Sequence, residues 1–464
     1  MSFLDERKAL TREKRLSSLS HFHGTLEGLI DESSGEEIKQ RIRTFSQIHD
    51  DETVYAFDVL SKIEDAAIIV NGSVGCGALG IAQGDLHKFS WYSTNLVERD
   101  TILGGDEKLR EAILRAYEEK HPKAIFIIGT PVVAINNDDI NSIILELEDE
   151  IGIPIISIYT DGFKTKTPVT GYDIVTHSIL KYLVSKNVDL KEDFINVISF
   201  SENLQDVVAI GEILHDLDIK FQVLPQFSSV DEIRKASKAR ATIVLNPEEG
   251  EYLAKELEEV YGVPYIESEA PIGFRGTKKF LLKLAAFLNI EDEVIAYIDK
   301  VEAELSNSVI KDVLQDKKIF VDTSLSRVPA YARLFTNLGG EVVGFSSSFV
   351  DLNNRKQLKR LDFLPKTTIA IIGNGQQFEK ANELAKNEID VFFSENAGSS
   401  FATDEGAVVI STKNKVTYGF KGVEVIANSI KKVVGFQNKY RLNSSYKDSW
   451  KKRSGNWYVK QEVS

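Results

Sequence analysis

Short apolar runs alternate with amphipathic segments along most of this 464-residue chain. The apolar runs are rich in β-branched residues and are predicted to form strands at Ala66–Val70, Ala124–Ile128, Ile153–Ile158, Ile195–Phe200, Lys220–Leu224, Ala241–Leu245, Lys318–Asp322, Glu341–Gly344, Thr368–Ile372, Val391–Phe393 and Val408–Ile410. Helical spacing of apolar residues is clearest in Glu107–Glu119, Asp139–Glu150, Asn203–Leu214, Glu249–Val260, Thr277–Leu288, Asp292–Glu304 and Lys421–Val434. Strands that alternate with helices in this way favour the α/β class, in which crossover helices cover parallel sheets.

Glycines, prolines and charged helical stretches divide this pattern into three doubly wound, Rossmann-like units. The predicted domains are residues 1–190, 191–310 and 311–440, followed by a C-terminal tail at 441–464. Residues 1–50 are interpreted as polar helices that lead into the first domain. The tail lacks the periodicity of a helix or a strand.

The chain is acidic, with 56 lysines and arginines against 70 aspartates and glutamates and a formal net charge of −14. Acidic and basic residues are mixed along the sequence. This balance argues against a surface for nucleic acid or for an anionic membrane. The expected partners are proteins or small molecules.

The sequence has no apolar run of membrane-spanning length, and its charged first residues lack the core of a signal peptide. It has one cysteine, which excludes a framework of disulfides within the chain and is typical of a reducing compartment. We therefore expect a cytoplasmic protein.

The single cysteine, Cys76, lies in the glycine-rich segment NGSVGCG at 71–77, directly after a predicted strand. A turn in that position presents its side chains at the carboxyl edge of a sheet, where ligands of open α/β folds bind. A thiolate there is a candidate metal ligand, although a four-iron cluster typically takes four cysteine ligands. The remaining ligands would have to come from another chain. The alternative is that Cys76 is a small apolar side chain packed in the turn.

Gly72 and Gly75 belong to the same turn and are candidate cofactor-binding positions, because glycine permits positive φ and a close approach of the backbone to a neighbour. The turn lacks the Gly-Lys-Ser/Thr sequence of a P-loop, so the chain is not predicted to hydrolyse nucleotides. Asp51 is a second, weaker candidate for a metal ligand, since carboxylates bind iron and two copies each of Asp51 and Cys76 would give a homodimer four ligands. The competing interpretation makes Asp51 a helix N-cap.

Several motifs together resemble the component 1 superfamily of nitrogenase, which includes catalytic α and β subunits, cofactor-scaffold subunits and protochlorophyllide reductases. The motifs are NGSVGC at 71–76, STNLVERD at 93–100 followed by GGDEKL at 104–109, NDDI at 137–140, PIG at 271–273 with GT at 276–277, and YGFKG at 418–422. Their order and spacing cover most of the chain between residues 50 and 435, which makes the match more specific than any one glycine-rich turn.

The departures from the family pattern concern metal ligands. Family members with a full cluster set supply three cysteines from the first domain, whereas this chain has Asp51 and Pro131 in place of the outer two and keeps only Cys76. A cysteine of the second domain and a C-terminal histidine hold the active-site cofactor of the molybdenum-nitrogenase α subunit. This chain has Asn246 near the first of these positions and no histidine beyond His215.

The resemblance therefore implies a β-like subunit of a nitrogenase-like reductase. In that role the chain would pair with a homologous α-like subunit in a heterodimer or heterotetramer. Cys76 would complete an iron–sulfur cluster, of 4Fe–4S type, at the interface, and an ATP-dependent reductase would dock on the complex. Two alternatives stay open: a cofactor-assembly scaffold subunit, and a metal-free structural paralogue that binds no cluster.

Overall fold

The computed structural model describes residues 15, 17–38, 51–78, 90–160, 167–186, 191–305, 313–395 and 400–434. The predicted tail at 441–464 lies outside these residues. So do the two predicted domain boundaries near 190 and 310, and the domain division stays a prediction.

The strands of the described residues are β1 Ser18–Leu19, β2 Phe22–Thr25, β3 Ala66–Asn71, β4 Ser90–Ser93, β5 Ala124–Gly129, β6 Ile155–Tyr159, β7 Ile195–Ser199, β8 Phe221–Pro225, β9 Ala241–Val244, β10 Lys318–Asp322, β11 Glu341–Ser347, β12 Val350–Asp351, β13 Ile369–Ile372, β14 Val391–Ser394 and β15 Val408–Ser411. Each strand that the sequence predicts is present, within one to three residues at either end.

The α-helices of the described residues are α1 Leu26–Ser33, α2 Glu52–Leu60, α3 Val74–Gly77, α4 Glu98–Leu103, α5 Asp106–Lys120, α6 Pro131–Asn136, α7 Ile140–Ile151, α8 Thr170–Tyr182, α9 Leu204–Asp216, α10 Val230–Lys235, α11 Pro247–Tyr261, α12 Gly273–Leu288, α13 Glu291–Leu305, α14 Val328–Asn337, α15 Gln377–Lys386, α16 Ser400–Asp404 and α17 Gly419–Val434. In the part of the chain that the structure describes, none of them is long and apolar enough to cross a membrane.

Local chemistry explains where the helices begin and end, as α7 illustrates. Its buried side chains, among them Ile140, Ile144 and Leu147, recur at helical spacing and face the sheet. The carboxylate of Asp139 accepts a hydrogen bond from the backbone N–H of Ser142 at the N-terminus, and Gly152 adopts the left-handed conformation that ends the helix.

Three mainly parallel sheets carry the fold. The first sheet has the strand order β4-β3-β5-β6 and the second has the order β8-β7-β9; both are parallel throughout. The third sheet has the order β15-β14-β10-β11-β13-β2, with β2 its antiparallel member. The predicted α/β class is confirmed.

The described part of residues 1–50 contains helix α1, Leu26–Ser33, but also strands β1 and β2, which the sequence did not predict. Strand β2 pairs antiparallel with β13, so that Phe22 lies opposite Ile372 at the edge of the third sheet. The strand β2 is too short and too polar to be recognised from its sequence, FHGT. Its formation depends on pairing with β13, about 350 residues further along the chain.

One buried arginine ties the N-terminal segment to all three units. Arg15 is 1% exposed and donates hydrogen bonds to the carboxylates of Asp173 on α8 and Asp351 on β12, and to the backbone carbonyl of Glu248 on α11. These contacts hold helices α8 and α11 against β12, which pairs antiparallel with β1 in a separate two-stranded sheet. The loops that follow the strands of the second and third sheets consequently face one another.

Each sheet has a point at which the strand order reverses. These points lie between β3 and β5 in the first sheet, between β7 and β9 in the second, and between β10 and β14 in the third. Ligands of open α/β sheets bind outside the carboxyl ends of the strands at such points. The structure therefore has two places to search for a site: the turn after β3, and the space between the second and third sheets.

Candidate functional sites: the Cys76 turn and the interdomain cleft

The backbone of the Cys76 turn is fixed by the neighbouring strands. Thr94, after β4, accepts a hydrogen bond from the Gly72 N–H at 3.0 Å and donates to the side-chain carbonyl of Asn71 at 3.0 Å. Thr130, after β5, donates to the backbone carbonyl of Asn71 at 2.9 Å. A Cβ at position 72 would lie 2.4 Å from the Thr130 hydroxyl oxygen, so the close approach of the two loops requires a glycine there.

Cys76 lies in the middle of the one-turn helix α3, at the strand-order reversal of the first sheet. Its side chain is partly buried and contacts the apolar core on one face of that sheet. The hydroxyl of Ser73 donates to the sulfur at 3.6 Å. The placement at the sheet edge is as the sequence predicts, and the sulfur is neither fully packed nor fully exposed.

Gly75 differs from Gly72 because no contact among the described residues requires a glycine at position 75. Its φ is not positive, and a Cβ built there would meet only the Ser73 hydroxyl, at 3.9 Å. Next to Cys76 the exposed backbone of Gly75 meets little else among the described residues, which leaves room there for a close approach by another part of a protein.

Asp51 is the N-cap of helix α2. One oxygen of its carboxylate accepts hydrogen bonds from the backbone N–H groups of Thr53, at 2.9 Å, and Val54, at 3.1 Å. Within the described ranges, no three histidine, cysteine, aspartate or glutamate side chains are grouped so that they could hold a metal ion. The described residues therefore offer Cys76 as a single donor and not a complete ligand set, and the ligand roles of Cys76 and Asp51 stay predictions.

Exposed apolar side chains surround this turn. They lie on the segments that follow β3, β4 and β5, are 50–80% exposed, and are Val74, Val97, Ile102, Leu103 and Ile135. The segments contact one another, since the Asn136 amide on α6 donates to the Thr101 carbonyl on α4 at 3.5 Å. We call these five side chains the apolar rim. Contiguous exposed apolar surface of this kind is typical of a protein interface.

The second site is a cleft of about 770 Å³ between the carboxyl ends of the second and third sheets, closed at one side by helices α2 and α8. Its described lining contains neither cysteine nor histidine. The carboxylates that line it are Glu202, Asp206, Glu248, Glu249, Asp322 and Glu395, and the cationic side chains are Arg327, Lys380 and Lys413. The lining is hydrophilic and carries more acidic than basic groups.

Arg327 is the central cation of the cleft wall. It forms ion pairs with Glu202 of the second sheet, at 2.6 Å, and with Glu395 of the third, at 3.0 Å. Burial opposes its charge, but the negative charges of Glu395 and Glu202, together with Tyr418, hold the pKa of Arg327 well above its usual range. Glu395 also accepts hydrogen bonds from the hydroxyls of Tyr331 and Thr323.

Three carboxyl groups of the cleft, those of Glu249, Glu248 and Asp206, have raised pKa values. Burial and then the charge of Glu202 raise the pKa of Glu249 to about 8. Burial and then the charge of Asp351 raise the pKa of Glu248 to about 7. Burial raises the pKa of Asp206 to about 6. Part of the acidic lining therefore keeps its protons near neutral pH.

Asn246, which the resemblance places near the cofactor cysteine of the molybdenum-nitrogenase α subunit, is buried behind the cleft and does not line it. Its side-chain carbonyl accepts hydrogen bonds from the Ser326 hydroxyl, at 2.6 Å, and from the Glu248 N–H, at 3.2 Å. An amide in these contacts caps helix α11 and offers no soft ligand to a metal. The described residues of the cleft do not fit a metal–sulfur cofactor.

Sequence reasoning missed the arginine network, although the sequence carries a signal for it. The tetrapeptide FSEN occurs at 200–203 and again at 393–396. Its two glutamates, Glu202 and Glu395, follow β7 and β14 and bind the same guanidinium.

A family model described as nitrogenase component 1 type oxidoreductase matches residues 55–434. The chain belongs to this family. The resemblance inferred from the motifs is thus confirmed.

Two curated relatives of this nitrogenase component 1 type chain are informative. It is 32% identical over 299 residues to the nitrogenase iron-molybdenum cofactor biosynthesis protein NifE of Clostridium pasteurianum, covering 61% of this chain and 65% of that one. It is 27% identical over 315 residues to a nitrogenase molybdenum-iron protein alpha chain of Methanosarcina barkeri, covering 63% and 58%. The chain thus spans less than two thirds of either relative.

A solved structure described as "Nitrogenase Cp1 at pH 5" superposes on the chain with a TM-score of 0.77 and 20% identity. The superposition covers 95% of this chain and 98% of the other. At this identity it shows the fold, which is that of nitrogenase component 1.

Proposed function

We propose that the chain is a subunit of a nitrogenase-type complex in which Cys76 supplies one thiolate to an iron–sulfur cluster, of 4Fe–4S type, shared with a homologous α-like partner. The observation that supports this most directly is the position of Cys76. Cys76 is partly exposed at the strand-order reversal of the first sheet, close to the apolar rim and beside Gly75, where the described residues do not require a glycine.

The chemistry of the donor set supports a shared site. Thiolates are the usual ligands of iron–sulfur clusters, and such a cluster typically takes four of them. Cys76 provides one, and the Ser73 hydroxyl is placed to donate to it. When bound, the cluster would supply one-electron redox chemistry. This chain's part is to hold one ligand, to exclude water with the apolar rim and to position the turn through Thr94 and Thr130.

The apolar rim supports the proposal that a partner subunit covers the Cys76 turn. Side chains such as Ile102 and Ile135 gain about 25 cal/mol for each Å² that a partner covers. Obligate interfaces commonly bury more than about 2,000 Å². A homologous subunit would apply the equivalent edge of its own first sheet to this rim, and its cysteines would complete the ligand set.

Within such a complex we favour the cofactor-assembly scaffold over the β-like subunit of a reductase. The relatives quoted above are a cofactor biosynthesis protein and an alpha chain, and the family assignment alone decides neither role. The described lining of the cleft contains no cysteine or histidine, the soft ligands of a catalytic cofactor site. Since the sequence lacks a P-loop, an ATP-dependent reductase would deliver electrons in either role.

The test is anaerobic purification of the full chain with its homologous partner, with Cys76→Ala and Ser73→Ala compared with the wild type. We expect four irons per pair, a changed electron paramagnetic resonance signal in Cys76→Ala, and the same nuclearity in Ser73→Ala. An unchanged signal with full iron content in Cys76→Ala would overturn the proposal.

The metal-free paralogue is the second candidate, favoured by the contact of Cys76 with the apolar core of the first sheet. In that case Cys76→Ala costs only about 1–2 kcal/mol of stability, and the wild-type pair contains no iron. Four irons in the chain purified alone would instead indicate the homodimer, and Asp51→Asn would then lower its iron content.

A further inference from the structure

We infer that the interdomain cleft is a binding site for a small organic cation, an amine carried on a hydroxyl-rich body, and not a cradle for a metal–sulfur cofactor. This inference does not depend on Cys76 or on the proposed partner, since neither Cys76 nor the apolar rim lines the cleft.

A carboxyl group that Arg327 leaves unpaired favours a positively charged ligand. Around Arg327 the cleft places three carboxylates, Glu202, Glu249 and Glu395, and only two of them are paired with its guanidinium. Glu249 lines the cleft, is partly exposed, and has the Ser201 hydroxyl as its hydrogen-bond partner at 2.7 Å. Glu249 holds its proton near neutral pH, so an ammonium group beside it would take the place of that proton and pair with the carboxylate, whereas an anionic thiolate-ligated cluster would gain no counter-charge from it.

A second, independent observation points to a ligand. Ser347, at the end of β11, lines the cleft and is 4% exposed, yet its hydroxyl has no hydrogen-bond partner among the described residues. Buried hydroxyls are normally hydrogen-bonded, and an unmade bond costs about 1–3 kcal/mol. The hydroxyl therefore marks a place where a ligand group is expected.

The rest of the lining suits a hydroxyl-bearing molecule. Ser324, Ser348, Asn374 and Asn414 place alcohol and amide groups around the same space. A cleft of about 770 Å³ lies within the range of small-molecule sites, which runs from about 300 to 1,000 Å³. The ligand class that fits is thus a polar amine the size of a sugar or a short polyol.

The raised pKa of Glu249 supports the same assignment. Near neutral pH this carboxyl holds its proton, and a bound cation favours its ionised form, so binding should release a proton and should strengthen as the pH rises toward 8.

The experiment is isothermal titration calorimetry of the full chain with three matched linear polyols. N-methylglucamine is the cation, sorbitol the neutral analogue and gluconate the anion. We expect N-methylglucamine to bind with one-to-one stoichiometry and about tenfold more tightly than sorbitol, with gluconate the weakest. The binding enthalpy should vary with the ionisation enthalpy of the buffer near neutral pH, because a proton leaves Glu249.

Two variants locate the site. Glu249→Gln should weaken N-methylglucamine about tenfold and abolish the proton release, whereas Glu291→Gln, the same change on exposed helix α13, should alter neither. Ser347→Ala should weaken sorbitol and N-methylglucamine alike while the fold stays at least as stable, since it removes an unpartnered hydroxyl.

Several results would overturn the inference. Equal effects of Glu249→Gln and Glu291→Gln would place binding elsewhere, and tighter binding of gluconate would make the cleft an anion site. Absence of binding by all three polyols would exclude this ligand class. Iron and sulfide retained by a Cys76→Ala chain would indicate that the cleft binds a metal–sulfur cofactor after all.

Discussion

Glu202 and Arg327 form an ion pair across the interdomain cleft, with 2.6 Å between the carboxylate oxygen and the guanidinium nitrogen. Glu202 follows a strand of the second sheet and Arg327 belongs to the third unit, so this contact joins two units that the chain builds far apart. Glu395 holds the other end of the same guanidinium.

Replacing Arg327 by methionine should destabilise the protein by about 3–5 kcal/mol, because two largely buried carboxylates lose their common counter-charge. The measurement is urea unfolding at neutral pH. The matched control is Arg234→Met, which removes an exposed pair with Asp231 and should cost about 1 kcal/mol or less. Equal losses in the two variants would mean that Arg327 does not clamp the cleft.

The two glycines of the Cys76 turn should respond oppositely to alanine. Gly72→Ala should cost about 1–3 kcal/mol, because its Cβ would overlap the Thr130 side chain. Gly75→Ala should change the stability of the isolated chain by no more than about 0.5 kcal/mol but weaken association with a partner. Thermal unfolding and sedimentation with the partner separate the two effects, and normal association in Gly75→Ala would argue against an interface at the turn.

The N-cap and metal-ligand interpretations of Asp51 predict different effects of replacing this residue on stability and on iron content. As an N-cap, Asp51→Ala should cost about 1 kcal/mol and Asp51→Asn much less, since asparagine caps nearly as well. If Asp51 acts only as a cap, the iron content of the complex should be the same in the wild type and in Asp51→Asn. A loss of iron in Asp51→Asn without a loss of stability would identify a ligand instead.

Stability should fall as the pH rises through the range in which Glu248 titrates. Its pKa is about 7 in the folded protein, whereas an unfolded glutamate has a pKa of about 4.3. Between these values the unfolded chain has released a proton that the folded chain still holds, so the free energy of unfolding decreases with pH. Glu248→Gln should flatten this slope in urea titrations, and Glu291→Gln should leave it as it is.

The sequence predicted those strands that are buried on both faces. Parallel strands such as Ala66–Asn71 and Ala124–Gly129 have continuous apolar runs that stand out from the helices around them. Ser90–Ser93 was missed because its four side chains are all half-buried and its sequence, SWYS, has no such run. Helix Thr170–Tyr182 was missed for a different reason: it is buried almost all round, which removes the polar face from its pattern.

The two candidate sites also differ in how far the local sequence predicts them. The position of Cys76 follows from a local rule, since a turn after a parallel strand lies at the carboxyl edge of the sheet. The cleft follows from contacts that no local pattern contains, because Glu202 and Glu395 lie 193 residues apart and meet only through Arg327. The repeated FSEN tetrapeptide was the available signal, and its meaning depends on the packing of two sheets.

Strand Phe22–Thr25 has a consequence for the order in which the protein is assembled on the ribosome. It is synthesised well before its partner, Ile369–Ile372, which lies far along the chain. Until then the third sheet has an open edge, and the early strand must wait without its backbone partners. Closing so long a loop slows folding more than it costs stability. During translation the nascent chain therefore carries an unpaired strand until Ile369–Ile372 has been made, and this strand must be kept from pairing with other chains.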